Sequence, residues 1–305
     1  MTTEVRIDAL LPAEMARRAE YLGVRKAEMP FLPMFTLAIL AGAFIALGAI
    51  FATTVSAGSM AVKAADSAAQ FSPLTASLPY GVVRLLAGMA FCLGLILVIV
   101  GGAELFTGNN LIVMAWAGGK VSTAALLRNW VIVYLGNFVG SVATAGMMFL
   151  TRQYTFSGGA IGITALSTAN TKVHLGFIQA IALGVLCNAL VCLAVWMTYS
   201  ARSAIDKIAA IVFPITAFVA AGFEHSIANI YFIPVGLFIK SFAPEFLSDK
   251  VVATVTANTG YDLAGLTWGT FLLNNLLPVT IGNIIGGAIL VAAVYWSVFL
   301  RTSEQ

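Results

Sequence analysis

Hydrophobic positions in this chain run on in six long stretches rather than alternating. The stretches are 31–55, 81–116, 124–150, 175–199, 208–239 and 266–300. A helix that is apolar on every side is buried in protein or in a bilayer, and about 20 such residues cross the hydrocarbon. The first, third and fourth stretches fit one span each. The second is 36 residues long and the fifth 32. As straight helices they would reach roughly 54 and 48 Å, against a hydrocarbon core of about 30 Å. Both are interrupted mid-way by the same polar phrase. Gly102-Ala103-Glu104 runs on to Asn109, and Gly222-Phe223-Glu224 runs on to Asn229. The economical reading is a helix, a short break and a second half-helix. Such a break is tolerated at membrane depth where it lines a cavity or is buried in protein. The sixth stretch has room for a short surface segment before its span.

The remaining stretches also echo one another. Asn129, Gly136, Asn137 and Gly140 match the spacing of Asn275, Gly282, Asn283 and Gly286, and Ile45-Ala46-Leu47-Gly48 matches Ile181-Ala182-Leu183-Gly184. Two units of three spans follow. An odd number of spans per unit inverts the second relative to the first, which places a functional site at the midplane between the broken helices. The predicted fold is therefore an all-α membrane protein of six transmembrane helices in two inverted three-helix repeats, the second and fifth helices broken. Repeat one covers about 30–151 and repeat two about 174–301. They are preceded by an N-terminal amphipathic helix within 1–29 and followed by a tail, 302–305. The four glycines of the second repeated phrase read as scaffold, because small residues let helices approach closely in lipid.

Composition agrees: of 305 residues, 60% are hydrophobic and only 10% charged, where a soluble domain carries about 25%. The net charge of +3 says little about partners, and nothing resembles a nucleic-acid patch. Cys92, Cys187 and Cys192 all lie in apolar runs and suit neither a zinc site nor a disulfide framework. No cofactor or metal is expected, and no cleavable signal peptide is visible.

Six spans put both termini on one side. If that side is cytoplasmic it holds ten Lys and Arg: Arg6, Arg17, Arg18, Arg25, Lys26, Lys120, Arg128, Arg202, Lys207 and Arg301. The other side holds six: Lys63, Arg84, Arg152, Lys172, Lys240 and Lys250. The excess before the first span favours both termini inside. Residues 8–28 read as a helix with Pro12 and Glu14 near its start. Met15, Tyr21, Leu22 and Val24 form its apolar side, and it lies along the membrane or a neighbouring subunit, or plugs the inner mouth. It is also a candidate site for a cytoplasmic partner. The segment Arg152 to His174 reads as a polar outer loop without Asp or Glu, whose basic residues draw anions into a vestibule.

His225, one of two histidines, sits at the centre of the second break. Histidine changes charge near neutral pH and can donate a proton to a passing anion. Thr107 occupies the other break and could orient that imidazole. Glu104 and Glu224 read as structural acceptors for the backbone N–H groups the breaks set free, with Asn109 and Asn229 as their polar companions.

At these residues a resemblance emerges. Glu104-Leu105-Phe106-Thr107, Gly222-Phe223-Glu224-His225-Ser226-Ile227-Ala228-Asn229 and Asn275-Leu276-Leu277-Pro278-Val279-Thr280-Ile281-Gly282-Asn283 closely resemble the formate–nitrite transporter family, most of all its bacterial formate channels, over about 29–300. The resemblance implies an aquaporin-like fold and a homopentamer with one pore per protomer. It implies an inner-membrane location and small monovalent anions as cargo: formate, with nitrite, hydrosulfide, acetate and lactate as candidates. By residue, it puts His225 on the family's central histidine and Thr107 on its hydrogen-bonding threonine. Phe91, Leu95 and Phe218 fall on apolar constrictions, and Lys172 and Asn188 on polar positions near the anion path. Gly108-Asn109-Asn110 is closer to the nitrite and hydrosulfide members and keeps those as the alternative cargo.

The implied mechanism can be weighed in numbers. Formate, like an α-carboxyl, has a pKa of roughly 3.5 and histidine about 6.5, so proton transfer from imidazolium to formate in water is uphill by roughly 4 kcal/mol. A dry apolar passage favours the neutral acid and neutral base over the ion pair. Crossing as the neutral acid, with pH-dependent flux, or as the anion with His225 as a filter are the two alternatives. Rival functions are weaker. No Asn-Pro-Ala of the kind water channels carry is present, two histidines 51 residues apart make no metal cluster, and no nucleophile–base pair supports an enzyme. A sensory role acting through the N-terminal helix predicts negligible flux.

Overall fold

The computed structural model describes residues 9–57 and 78–301. Arg6, Lys63 and the tail 302–305 lie outside the described residues. All regular structure among them is helical, and six helices are long and apolar enough to cross a membrane. The first unit comprises α1 (Pro12–Ala27), α2 (Phe31–Ser56), α3 (Tyr80–Gly101), α4 (Phe106–Asn109), α5 (Val113–Ala117) and α6 (Thr123–Leu150). The second comprises α7 (Ala160–Val173), α8 (Phe177–Ser200), α9 (Ala204–Ala221), α10 (Ser226–Phe242) and α11 (Asp249–Thr259). It closes with one continuous helix, Trp268–Phe299, whose segments are α12 (Trp268–Thr270), α13 (Leu277–Ile284) and α14 (Val294–Phe299). The surface segment allowed before the sixth span is the single turn Leu263–Gly265.

The two units are inverted. Helix α2 starts at Phe31, next to α1, and runs away from it. Helix α8 runs the other way and ends against α1: Arg18 donates to the Tyr199 carbonyl at 3.0 Å and Ser200 to the Leu10 carbonyl at 3.0 Å. Both long runs are broken where predicted. Helix α3 ends on Gly102 and α9 on Gly222, each left-handed at φ 77°, a conformation glycine adopts without cost. The next N–H closes each end, from Ala103 to the Val98 carbonyl (2.9 Å) and from Phe223 to the Phe218 carbonyl (3.0 Å), which is a Schellman-type stop.

The glycines predicted as scaffold sit at helix crossings. Gly136 and Gly140 on α6 face α2, and Gly282 and Gly286 in the last helix face α8. A β-carbon on Gly286 would overlap the Val185 carbonyl, and backbone cannot rotate aside as a side chain can. Gly286→Val is expected to lower stability by about 1–3 kcal/mol, read as a lower melting temperature of the detergent-solubilised protein.

Two expectations are corrected. Residues 152–174 are not simply a loop. Helix α7 buries most of its length, Thr164, Ser167 and Asn170 included. Helix α1 packs Met15, Leu22 and Val24 of its predicted apolar side inward, and the predicted side fails only at Tyr21. Tyr21 is exposed, and Ala16, Ala19, Gly23 and Ala27 are buried. These small residues let α1 press onto its own protomer, with Gly23 against Ala115 of α5. Glu20 is buried and paired with Lys120.

Candidate pore site

The two breaks are built from matched sets of hydrogen bonds. The Glu104 N–H donates to the Leu37 carbonyl (3.2 Å) and the Glu224 N–H to the Leu183 carbonyl (3.3 Å). The next freed donors find asparagines: Phe106 N–H to Asn137 Oδ1 and Ser226 N–H to Asn283 Oδ1, both 2.9 Å. Each asparagine amide then donates to the break's own carbonyl and to the neighbouring span. Asn137 bonds the Glu104 and Ala38 carbonyls, and Asn283 the Glu224 and Gly184 carbonyls. Backbone carbonyls and asparagines thus take the freed N–H groups, rather than the carboxylates the sequence suggested.

The carboxylates instead anchor a second, equally matched set. Glu104 Oε1 accepts from Lys26 Nζ at 2.6 Å and its Oε2 from Asn109 Nδ2 at 2.7 Å. Glu224 Oε1 accepts from Lys172 Nζ at 2.7 Å and its Oε2 from Asn229 Nδ2 at 2.7 Å. Asn109 and Asn229 bond onward to Asn129 and Asn275. Those residues return to the carbonyls of Lys26 and Lys172 at 3.0 and 2.9 Å. The likeness between the halves therefore extends back onto α1 and α7, whose last turns carry the two lysines. Lys26 had read only as one of the ten basic residues on the side of the termini. It lies 78 residues from its carboxylate, and no local pattern announces the pair.

Between the breaks, His225 and Thr107 meet. Thr107 Oγ1 lies 3.0 Å from His225 Nε2, and both residues are buried. His225 is also the N-cap of α10, its Nδ1 accepting from the Ala228 N–H at 3.1 Å. An acceptor nitrogen carries no hydrogen, so the ring hydrogen sits on Nε2 and points at Thr107. Behind Thr107, Asn188 Nδ2 and Cys192 Sγ both donate to its carbonyl at 3.3 Å. Asn188 is fully buried there and lines neither cavity described below. It supports the threonine from beneath.

Two cavities approach this pair from opposite ends. On the side away from α1, a cavity of about 260 Å³ is lined by Arg84, Phe91, Lys172, Phe218, Glu224 and His225, among others. On the α1 side, a cavity of about 320 Å³ is lined by Arg18, Lys26, Leu95, Glu104, Asn109 and Lys207, among others. Phe91 and Leu95 are one turn apart on α3, so roughly 6 Å of helix rise separates the walls. Phe91 and Phe218 meet edge to face at 5.6 Å, and Phe218 stacks on His225 at 5.9 Å. All three predicted constriction residues are at most 3% exposed. Apolar side chains separate the two cavities, with one polar pair among them. His174 stands apart, stacked on Tyr261 at 4.1 Å with Nδ1 against the Asn170 carbonyl. No cluster of three or more metal-binding side chains occurs among the described residues.

Comparison with known proteins bears on this arrangement. A family model described as formate/nitrite transporter matches residues 13–297. The formate channel FocA of Escherichia coli strain K12 is 44% identical over 299 residues, covering 98% of this chain and 97% of that protein. A probable formate transporter of Methanothermobacter thermautotrophicus is 36% identical, covering 95% and 97%. Among solved structures, a pentameric formate channel with formate bound superposes with a TM-score of 0.74 at 43% identity, covering 89% of this chain and 98% of that one. A second, an FNT family ion channel, gives 0.71 at 26% identity, covering 93% and 98%.

Proposed function

The chain belongs to the formate/nitrite transporter family, and we propose that it is a bidirectional channel for formate and similar small monovalent anions. It works as a homopentamer in the bacterial inner membrane with both termini inside. The relatives that are formate channels, and the pentameric neighbour with formate bound, support this reading. The observation that carries it is the buried His225–Thr107 pair, 3.0 Å apart, set between two cavities and closed off by Phe91, Phe218 and Leu95. An anion leaving either cavity sheds its water between these apolar walls, where the His225–Thr107 pair supplies the hydrogen-bond donors. Desolvating a charge without partners costs many kcal/mol, so the donors at the pair decide which solutes cross. Nitrite and hydrosulfide share formate's single charge and small size and remain the alternative cargo. Glu104, Glu224, Asn109 and Asn229 hold the breaks open, and Asn188 holds Thr107 in place.

His225 acts on the anion in one of two ways. As a filter, it offers the Nε2 hydrogen to the passing anion, and the cap bond that keeps Nδ1 an acceptor supports this. As a proton donor, it must first take a proton on Nδ1, releasing the Ala228 N–H, and then neutralise the carboxylate. The dry walls on both sides support this second reading.

The test is uptake of formate, nitrite and hydrosulfide into liposomes at about pH 5.5 and 7.5, either side of the ordinary histidine pKa of about 6.5. Fast formate flux supports the reading, and absence of all three removes it. Thr107→Val removes one hydrogen-bond partner at the pair, about 1 kcal/mol net. It is expected to slow formate flux about fivefold without altering assembly.

A further inference from the structure

Arg84 counted in the sequence only as one outward charge. In the structure it lines the cavity on the side away from α1, where its bonding has a distinctive shape. Its Nε donates to the Ala220 carbonyl at 3.2 Å, and its Nη2 donates to the Val219 carbonyl. Those are the last carbonyls of α9 before the break that presents His225. The C-terminal end of a helix carries roughly half a negative charge, and here it borders the cavity an anion would enter. Arg84 covers it.

Among the described residues, the cavity's remaining charges leave Arg84 unneutralised. Lys172 is held by Glu224 at 2.7 Å, so those two cancel. No carboxylate pairs with Arg84 among the described residues. A guanidinium has five N–H donors in a rigid fork suited to carboxylates, and among the described residues two are spent on protein. The same cavity is lined by Thr168 and Thr171 of α7, whose hydroxyls make no hydrogen bond among the described residues.

We propose that Arg84, with the Thr168 and Thr171 hydroxyls, forms a loading site for a small monovalent carboxylate at the mouth remote from α1, ahead of Phe91, Phe218 and His225. The site rests on the anion-channel reading and deepens it: Arg84 masks the carbonyl end of α9 and presents its free N–H groups to the incoming anion.

The experiment uses the full-length protein in planar bilayers, with formate as probe on the Arg84 side. Arg84→Gln is expected to raise the half-saturating formate concentration about tenfold, the scale of one lost charge-assisted hydrogen bond. Arg84→Lys keeps the charge but loses the fork and is expected to raise it about threefold. A cysteine at this position gives a sign test, since the native cysteines are all buried. On Arg84→Cys, a thiol reagent bearing an ammonium should lower the half-saturating concentration and one bearing a sulfonate should raise it. Unchanged half-saturation in Arg84→Gln, or equal effects of the two reagents, overturns the proposal in favour of a structural cap. If Arg84→Gln does not fold, Arg84→Lys decides: a rise of about threefold supports the site and none overturns it. If the wild type carries no formate, the channel reading fails instead. Binding of 13C-labelled formate to wild type and Arg84→Lys, followed by NMR, then decides the site alone, equal affinities overturning it.

Discussion

Replacing Lys172 with methionine is expected to destabilise the protein by about 3–5 kcal/mol, the cost of removing one partner from a buried ion pair. Glu224 keeps only the amides of Asn229 and Asn275 once the ammonium is gone, and its side chain is 6% exposed. The double replacement Lys172→Met with Glu224→Gln is expected to recover most of the loss, because Gln retains an oxygen for Asn229 and carries no charge. The counterpart on the α1 side gives a graded comparison. Lys26 is 28% exposed against 15% for Lys172, so Lys26→Met should cost less, since water can replace part of the lost partner. Melting temperatures of the purified variants in one detergent check the order. If Lys26→Met is the more damaging, or the double variant is no better than Lys172→Met, the matched ion pairs do not hold the two breaks.

The second large effect is at the pair itself. His225→Phe keeps the ring against Phe218 but loses both the Nε2 hydrogen and the cap bond to Ala228. Formate flux is expected to fall by roughly tenfold to a hundredfold, the range for losing a hydrogen bond to a charged group, and under the donor role what remains should not vary with pH. His225→Asn separates the two roles. Asparagine caps a helix well and offers N–H donors, yet it does not titrate. Under the filter role, His225→Asn retains flux within about threefold of wild type and keeps its pH response. Under the donor role, the pH response between about 5.5 and 7.5 disappears. The measurement is initial-rate uptake at matched protein content. A pH response that survives in His225→Phe would exclude His225 from proton transfer.

Both experiments act on residues the sequence picked out, but for reasons it showed only in part. His225 and Thr107 were legible because a polar residue in the middle of an overlong apolar run has few purposes, and the two breaks fall at matching places. The family resemblance marked Lys172 and Asn188 as polar positions near an anion path. Their actual partners were not legible. Lys172 is neutralised by Glu224, and Asn188 turns its amide to the Thr107 and Asn283 carbonyls. Asn137 and Asn283, which hold both breaks, were visible only as members of a repeated spacing. Arg84 gave no signal beyond its charge. Helix α7 escaped notice because its Thr, Ser and Asn residues look like loop until a tertiary partner buries them.

The sequence by itself determined the six crossings, the two breaks and the inversion. These follow from run length against bilayer thickness and from the cost of polar groups in hydrocarbon, and both are local properties of the chain. Only the tertiary structure decided which charge neutralises which, what α1 packs against, and where apolar side chains separate the two cavities. Lys26 meets Glu104 across 78 residues, and Thr107 meets His225 across 118. Such pairings depend on how helices cross and how closely their glycines let them approach, and no single stretch of chain encodes that distance.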